Sequence, residues 1–557
     1  MSILNRLKLL YPQNYVSISN EIDLLIKKWK SCEFKSYEDV SQNDICLITY
    51  GDSFYRKGEM PLETLQKFHS DYLRDVINII HILPMFPYSS DDGFSVIDFR
   101  VVDPNLGNWD HLNSLQKQVD LMYDAVLNHV SVQNQYFKDF LNQKKGFEQF
   151  FITKNPNNDY SKVTRPRTSP LLTPFETKDG IKYVWTTFSA DQVDLNYENP
   201  QVLLEILDVL LFYVLNGARF IRFDAIGFLW KKDDTTCMHL TETHEVVKLM
   251  REVIDSVTKG VKIITETNVK HLENISYFGD GNDEASLVYQ FPLPPLVLHA
   301  FQTENTLYLS RWLENLEPTQ IGTTFFNFLS SHDGIGVRPV EGLLPEDELS
   351  SMIQTVIDRG GKINYRKVSE TLNIPYEMCI TYLDALNGPD DSNDVQIKRM
   401  IGALTILLSL QGLPAIYYHS LIGSHNDYKG YEISKINRRI NREKIDYSSL
   451  VNQLDNPENF RSMLFNQIKQ RINLRKNNPL FHPQVPQIIH HHDKRTFVLE
   501  RNDGEKCIYT LVNLSTQELK VNLSGTYINI LTQALCQDTI TLKPLESAWF
   551  QKLQNGS

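Results

Sequence analysis

Eight short runs rich in β-branched and aromatic residues recur along this chain: DICLITY (44–50), VINIIHILP (76–84), VDLMYDAV (119–126), ARFIRFDAI (218–226), VKIITET (261–267), SLVYQF (286–291), TTFFNFLSSH (323–332) and LPAIYYH (413–419). Longer stretches of helical periodicity separate them. The clearest, PQVLLEILDVLLFYVLNGA (200–218), carries Gly217 as its stop signal and leads straight into the fourth run. Strands alternating with helices imply a parallel sheet with right-handed crossovers. Eight of them predict an α/β chain folded as a closed (β/α)8 TIM barrel.

Two gaps between runs are too long for simple loops. Residues 130–184 are rich in Pro, Asn and charge, and 335–395 hold short helical patterns such as PEDELSSMIQTVIDRG. Each is read as an insertion at the barrel rim, where long excursions serve as lids or binding loops. The barrel then comprises 44–129, 185–334 and 396–484, preceded by an N-terminal helical extension, 1–43. Beyond residue 485 the pattern turns to period two, as in RTFVLERN and KCIYTLVNLS, which predicts a C-terminal antiparallel β domain over 485–557.

The formal charge of −12 speaks against nucleic acid or an anionic membrane as a partner. An anionic ligand has to be captured locally. The six cysteines are scattered, without the close pairing of zinc sites or disulfide frameworks, and no apolar stretch approaches the roughly 20 residues of a membrane span. The opening MSILNRLKLLYPQN lacks the apolar core of a secretory signal. A cytoplasmic protein with reduced thiols is expected, and a homodimer is compatible with the chain.

In a barrel of this kind, charged residues that end different strands converge on one pocket. The third run ends in Asp124, Asn128 and His129, the fourth in Arg222 and Asp224, the fifth in Glu266 and the seventh in His332 and Asp333. An isolated Arg-x-Asp on a buried strand is usually a structural ion pair, but acids and histidines ending four strands at one face are hard to assign to packing. Paired carboxylates suit cleavage of a glycosidic bond, one ionised to attack the anomeric carbon and one protonated to release the leaving oxygen. Arg222 is expected to hold Asp224 anionic as the nucleophile, with Glu266 kept protonated as the acid by a more apolar setting. Asp333 would grip sugar hydroxyls more tightly in the transition state.

The segments DAVLNH, QVDLN (192–196), IRFDAIG, ITETN and FLSSHDGIGV resemble, in order and spacing, the ordered regions of the α-amylase superfamily, over most of 44–450. More narrowly, LITYGDSF, HILPMFPYSSDDGFSVID, RPR (165–167), SHDGIG and INRRINR resemble the sucrose phosphorylase subfamily, which transfers glucose to phosphate. The resemblance implies Asp224 as nucleophile, Glu266 as acid/base and Asp333 as transition-state stabiliser. Asp91, Phe94, His129, Arg222, His332 and Arg442 would surround the glucosyl unit, and Arg167 would meet phosphate or acceptor through a bidentate guanidinium. Expected partners are a small sugar substrate and inorganic phosphate, with no metal and no other cofactor. Asp194, in QVDLN, matches a region that contributes to calcium sites in amylases.

At the position of the non-glucosyl half the chain departs from sucrose phosphorylases. Asn268 stands where those enzymes have histidine, Thr164 replaces a tyrosine, and NIPYEMCITY (373–382) keeps Tyr376 but carries Glu377. These changes, and the N-terminal extension, resemble a branch that phosphorolyses 2-O-α-glucosylglycerate to α-glucose 1-phosphate and glycerate. Arg167, Asn268, Tyr376 and Glu377 would then meet acceptor or phosphate, although an inward Glu377 would repel a carboxylate. Sucrose, sucrose 6'-phosphate, simple α-glucoside hydrolysis and an inactive sugar-binding protein remain the alternatives.

Overall fold

A computed structural model describes residues 2–281, 283–367 and 372–553. Residues 368–371 of the second insertion and 554–557 of the C-terminal domain, as read from the sequence, lie outside the described residues.

The eight runs form a closed parallel barrel. Its strands are β1 (Cys46–Thr49), β2 (Ile79–Ile82), β3 (Asp120–Val126), β4 (Ala218–Asp224), β5 (Lys262–Thr265), β6 (Leu287–Tyr289), β7 (Thr324–Phe328) and β8 (Leu413–Tyr417). Closure comes from β8 beside β1, with Ile48 opposite Tyr417. The strands are buried on both faces, inside the barrel and beneath the helices, which is why each reads as a continuous apolar run rather than an alternating one. They are shorter than the runs. β7 stops at Phe328, so His332 and Asp333 lie in the loop beyond the strand end, at the barrel mouth.

Between β3 and β4 the chain forms a helix, Gln135–Leu141, and two antiparallel pairs: Leu172–Thr177 with Gly180–Trp185, and His129–Ser131 with Gln192–Asp194. After β7 comes a three-stranded sheet in which Asn373–Cys379 lies between Ile335–Gly336 and Lys362–Lys367. Both excursions overhang the carboxyl end of the barrel. A six-stranded antiparallel sheet follows the barrel, and its strand Leu519–Asn529 alternates buried and exposed positions over its first half, as a one-sided sheet requires. Trp549 Nε1 docks this sheet on the helix Asn393–Ser409 by donating to Ser409 Oγ at 2.8 Å.

The N-terminal helices Ile3–Leu10 and Tyr15–Trp29 pack against the outer helices of the barrel, with Arg6 buried and bonded to Glu245 at 2.8 Å and Asp283 at 3.1 Å. No helix among the described residues is long and apolar enough to cross a membrane.

Candidate active site

A cavity of about 770 Å³ opens at the carboxyl end of the barrel. Asp224 and Glu266 reach it from the ends of β4 and β5, and His332 and Asp333 from the loop after β7. Asp91, Phe94 and His129 line one wall. Arg167 and Tyr376 enter from the two insertions, so both excursions close over the same space.

Arg222 organises the floor. Its guanidinium donates to Asp224 Oδ1 at 2.8 Å and also to Asp124, whose other oxygen meets His81 Nε2 at 2.6 Å. Directly after the strand, Ala225 adopts a left-handed backbone (φ 51°), uncommon for a residue with a Cβ, and this points its N–H at Glu266 Oε2, 3.2 Å away. Burial pushes the Asp224 carboxyl up, to about 8, against the pull of Arg222. Burial raises Glu266 as well. The expectation that Arg222 holds Asp224 low is therefore corrected, because desolvation outweighs a guanidinium shared with Asp124. Two raised carboxyls in one cavity hold a common proton near neutral pH. Arg222 is bonded to Asp224 but 4.0 Å from Glu266, so the negative charge is better placed on Asp224 and the proton on Glu266.

The glucosyl end is built from stacked and strained parts. Phe94 lies flat on His332, with ring centroids 4.8 Å apart and planes 6° from parallel. His129 Nε2 is 2.9 Å from the Phe94 carbonyl. Burial keeps both His129 and His332 below their ordinary pKa, as neutral rings. Asp91 and Asp92 both take positive φ, 55° and 48°, ahead of Gly93, where a Cβ would come within 2.8 Å of the Pro84 carbonyl. That tight turn presents Asp91 to the cavity while Asp92 turns away to bind Arg442 at 2.6 Å.

Arg442 is thus the second correction. It lies behind the cavity wall, donating to the His332 carbonyl at 2.8 Å and to Asp92, and is 3.9 Å from Asp333. Within INRRINR the arginine that lines the cavity is Arg438, four residues earlier, whose Nη1 meets Asp333 at 2.6 Å. Burial acts to raise Asp333, but Arg438, with Arg442, Arg222 and Arg167, outweighs it and holds the carboxyl below its ordinary value. Both arginines belong to INRRINR, and the fold brings Arg438 rather than Arg442 to the cavity.

Glu377 is the third. Its carboxylate accepts from Arg438 at 2.7 and 3.0 Å, from Asn364 at 2.7 Å and from the Gly334 N–H at 3.2 Å, and it does not line the cavity. Its neighbour Tyr376 does, consistent with adjacent strand residues facing opposite ways. The repulsion foreseen for an inward Glu377 does not arise. Arg167 stacks between Tyr376 and Phe188, 5.5 and 5.7 Å from the ring centroids, and Asn268 and Thr164 also line the cavity.

Asp194 is fully used by protein groups. Lys231 Nζ sits 2.6 Å from its Oδ2 and 2.7 Å from Asn128 Oδ1, and also donates to the Phe228 carbonyl. Thr187 supplies two more hydrogen bonds to Asp194, at 2.9 and 2.6 Å. An ammonium ion thereby occupies an all-oxygen nest of the kind a hard cation would take. Among the described residues no cluster of three or more His, Cys, Asp or Glu side chains is arranged to hold a metal.

Comparison with known proteins follows the same lines. Residues 62–338 match the family model of the α-amylase catalytic domain. The chain is 46% identical over 513 residues to a glucosylglycerate phosphorylase of Allomeiothermus silvanus, covering 91% of each protein. It is 29% identical to a sucrose phosphorylase of Agrobacterium vitis, over 87% of this chain and 98% of the other. Among solved structures, sucrose 6F-phosphate phosphorylase from Thermoanaerobacter thermosaccharolyticum superimposes with a TM-score of 0.74 at 25% identity, covering 85% of this chain and 94% of that one.

Proposed function

Because the chain belongs to the α-amylase family, with glucosylglycerate phosphorylases as near relatives, we propose that it is a retaining glycoside phosphorylase acting reversibly on 2-O-α-glucosylglycerate. The observation that carries this reading is a cavity whose catalytic carboxyls share their space with surplus cations. Beside the Asp224–Glu266 pair and the Phe94–His332 platform, Arg165 and Arg167 from the first insertion and Arg338 and Arg366 from the second line the same cavity. A hydrolase has no need of those cations.

In the forward reaction Asp224 attacks the anomeric carbon and Glu266 gives its proton to the departing glycerate oxygen, which leaves a β-glucosyl-enzyme. Phosphate then takes the place of glycerate. Glu266 removes a proton from it as it attacks the same carbon, and α-glucose 1-phosphate is formed with net retention. Asp333, kept ionised by Arg438, accepts hydrogen bonds from ring hydroxyls that strengthen as the sugar becomes oxocarbenium-like.

The test compares products from 2-O-α-glucosylglycerate in phosphate and in phosphate-free buffer. α-Glucose 1-phosphate only with phosphate supports the reading. Free glucose at the same rate in both identifies a hydrolase, and no turnover in either identifies a sugar-binding protein.

A further inference from the structure

Five arginines line the catalytic cavity, and four of them are engaged. Arg438 is fixed by Asp333 and Glu377, and Arg366 donates to Glu341 at 3.1 Å. Arg165 donates to the Ser169 carbonyl, and Arg167 donates to the Pro166 carbonyl at 3.3 Å while stacked between two rings. Arg338 differs. Among the described residues its guanidinium has no hydrogen-bond partner, and its carboxylate neighbour Glu273 stands off at 3.6 Å. Only 18% of its side chain is exposed, so a largely desolvated cation has N–H donors to spare.

Its place in the fold puts those donors on the leaving-group side of Glu266. The backbone before Arg338 is tied down by the Gly336–Glu377 pairing and by Val337 N–H donating to the Tyr376 carbonyl at 2.9 Å. Gly336 in turn abuts Asn268, two residues past Glu266. A Cβ at 336 would fall 2.9 Å from Asn268 Oδ1, so glycine makes room for that side chain. Asn268 Oδ1 is buried and accepts no hydrogen bond from the protein. A guanidinium without a hydrogen-bond partner therefore follows the segment packed on Asn268, two residues past the acid that protonates the leaving oxygen.

We propose that Arg338 is the residue that selects a hydroxycarboxylate as the leaving group and acceptor. Its guanidinium takes the carboxylate, and Arg167, on the first insertion, is left to phosphate. This assignment rests on the phosphorolysis reading above.

The experiment runs transfer from α-glucose 1-phosphate to glycerate and to neutral glycerol, alongside glucose release from α-glucose 1-phosphate in arsenate, which turns over the glucosyl-enzyme without either acceptor. In Arg338→Met, kcat/KM for glycerate should fall by about 10- to 100-fold, the loss expected for one charge-assisted contact. Arsenolysis and transfer to glycerol should be unchanged, and Arg338→Lys should recover part of the glycerate activity. Glu273→Gln should leave glycerate transfer intact, because that carboxylate competes for Arg338 rather than positioning it. The proposal is overturned if Arg338→Met leaves glycerate transfer unchanged, if it lowers arsenolysis equally, or if Glu273→Gln reproduces its effect. A wild-type enzyme that arsenolyses α-glucose 1-phosphate but transfers nothing to glycerate would instead sink the functional reading itself, and this assignment with it.

Discussion

Arg222 Nη1 donates to Asp224 Oδ1 at 2.8 Å. That contact decides which of two buried carboxyls carries the charge, since the same guanidinium comes no nearer than 4.0 Å to Glu266. The reactive enzyme is the one-proton form of the pair. Its kcat/KM should fall in acid, where the pair takes up a second proton, and again in base, where the shared proton is lost. Glu266→Gln, whose amide cannot ionise, should lack the alkaline limb and lose about 10²- to 10⁴-fold in rate on glucosylglycerate. An unchanged alkaline limb in that variant would assign the proton elsewhere.

The raised Asp224 also has a consequence for folding. Burial lifts both carboxyls of the Asp224–Glu266 pair above their unfolded values, so the folded pair keeps a shared proton that the unfolded chain has lost, and stability falls as pH rises through that window. Asp224→Asn should therefore be inactive yet gain in Tm relative to the wild type as pH goes from 4 to 8. Melting curves of the two proteins across that range check the sign. A gap that narrows with rising pH would contradict it.

Lys231 holds the place a calcium ion would take beside Asp194. Exhaustive chelation should leave activity and Tm unchanged. Lys231→Met strands a buried carboxylate and should cost about 3–5 kcal/mol, measured by denaturant unfolding. Recovery of that loss by added calcium would show a latent metal site, and recovery by Asp194→Asn would show the plain ion pair expected here.

Arg438 joins Asp333 to Glu377, at 2.6 and 2.7 Å. Arg438→Met should destabilise the protein by about 3–5 kcal/mol because it leaves the buried Glu377 carboxylate without its cation. Adding Glu377→Gln should restore much of the stability but little of the activity, since Asp333 still lacks its cation. Equal recovery of both would reduce Arg438 to a structural role.

The barrel could be read from sequence because each strand is buried on both faces and so appears as an unbroken apolar run. Arg222, Asp224 and Glu266 stood out for the complementary reason that charge at the end of such a run needs compensation. INRRINR was harder, because Arg438 and Arg442 sit at either end of one short 3-10 segment, the first half-buried and the second buried, and only the fold decides which reaches the cavity. Glu377 misled because the side of the strand it faces depends on register with Ile335–Gly336, set by pairing across the second insertion. The upward shift of Asp224 could not be read at all, since it comes from burial under loops distant in sequence. Arg338 carried no local signal. What distinguishes it is which other arginines already have partners.

The central claim, phosphorolysis with glycerate as the partner, is tested most directly by the specificity constants for α-glucose 1-phosphate formation from 2-O-α-glucosylglycerate, sucrose and sucrose 6'-phosphate under one set of conditions. Glucosylglycerate should have the highest kcat/KM of the three. A higher value for either sucrose would contradict it.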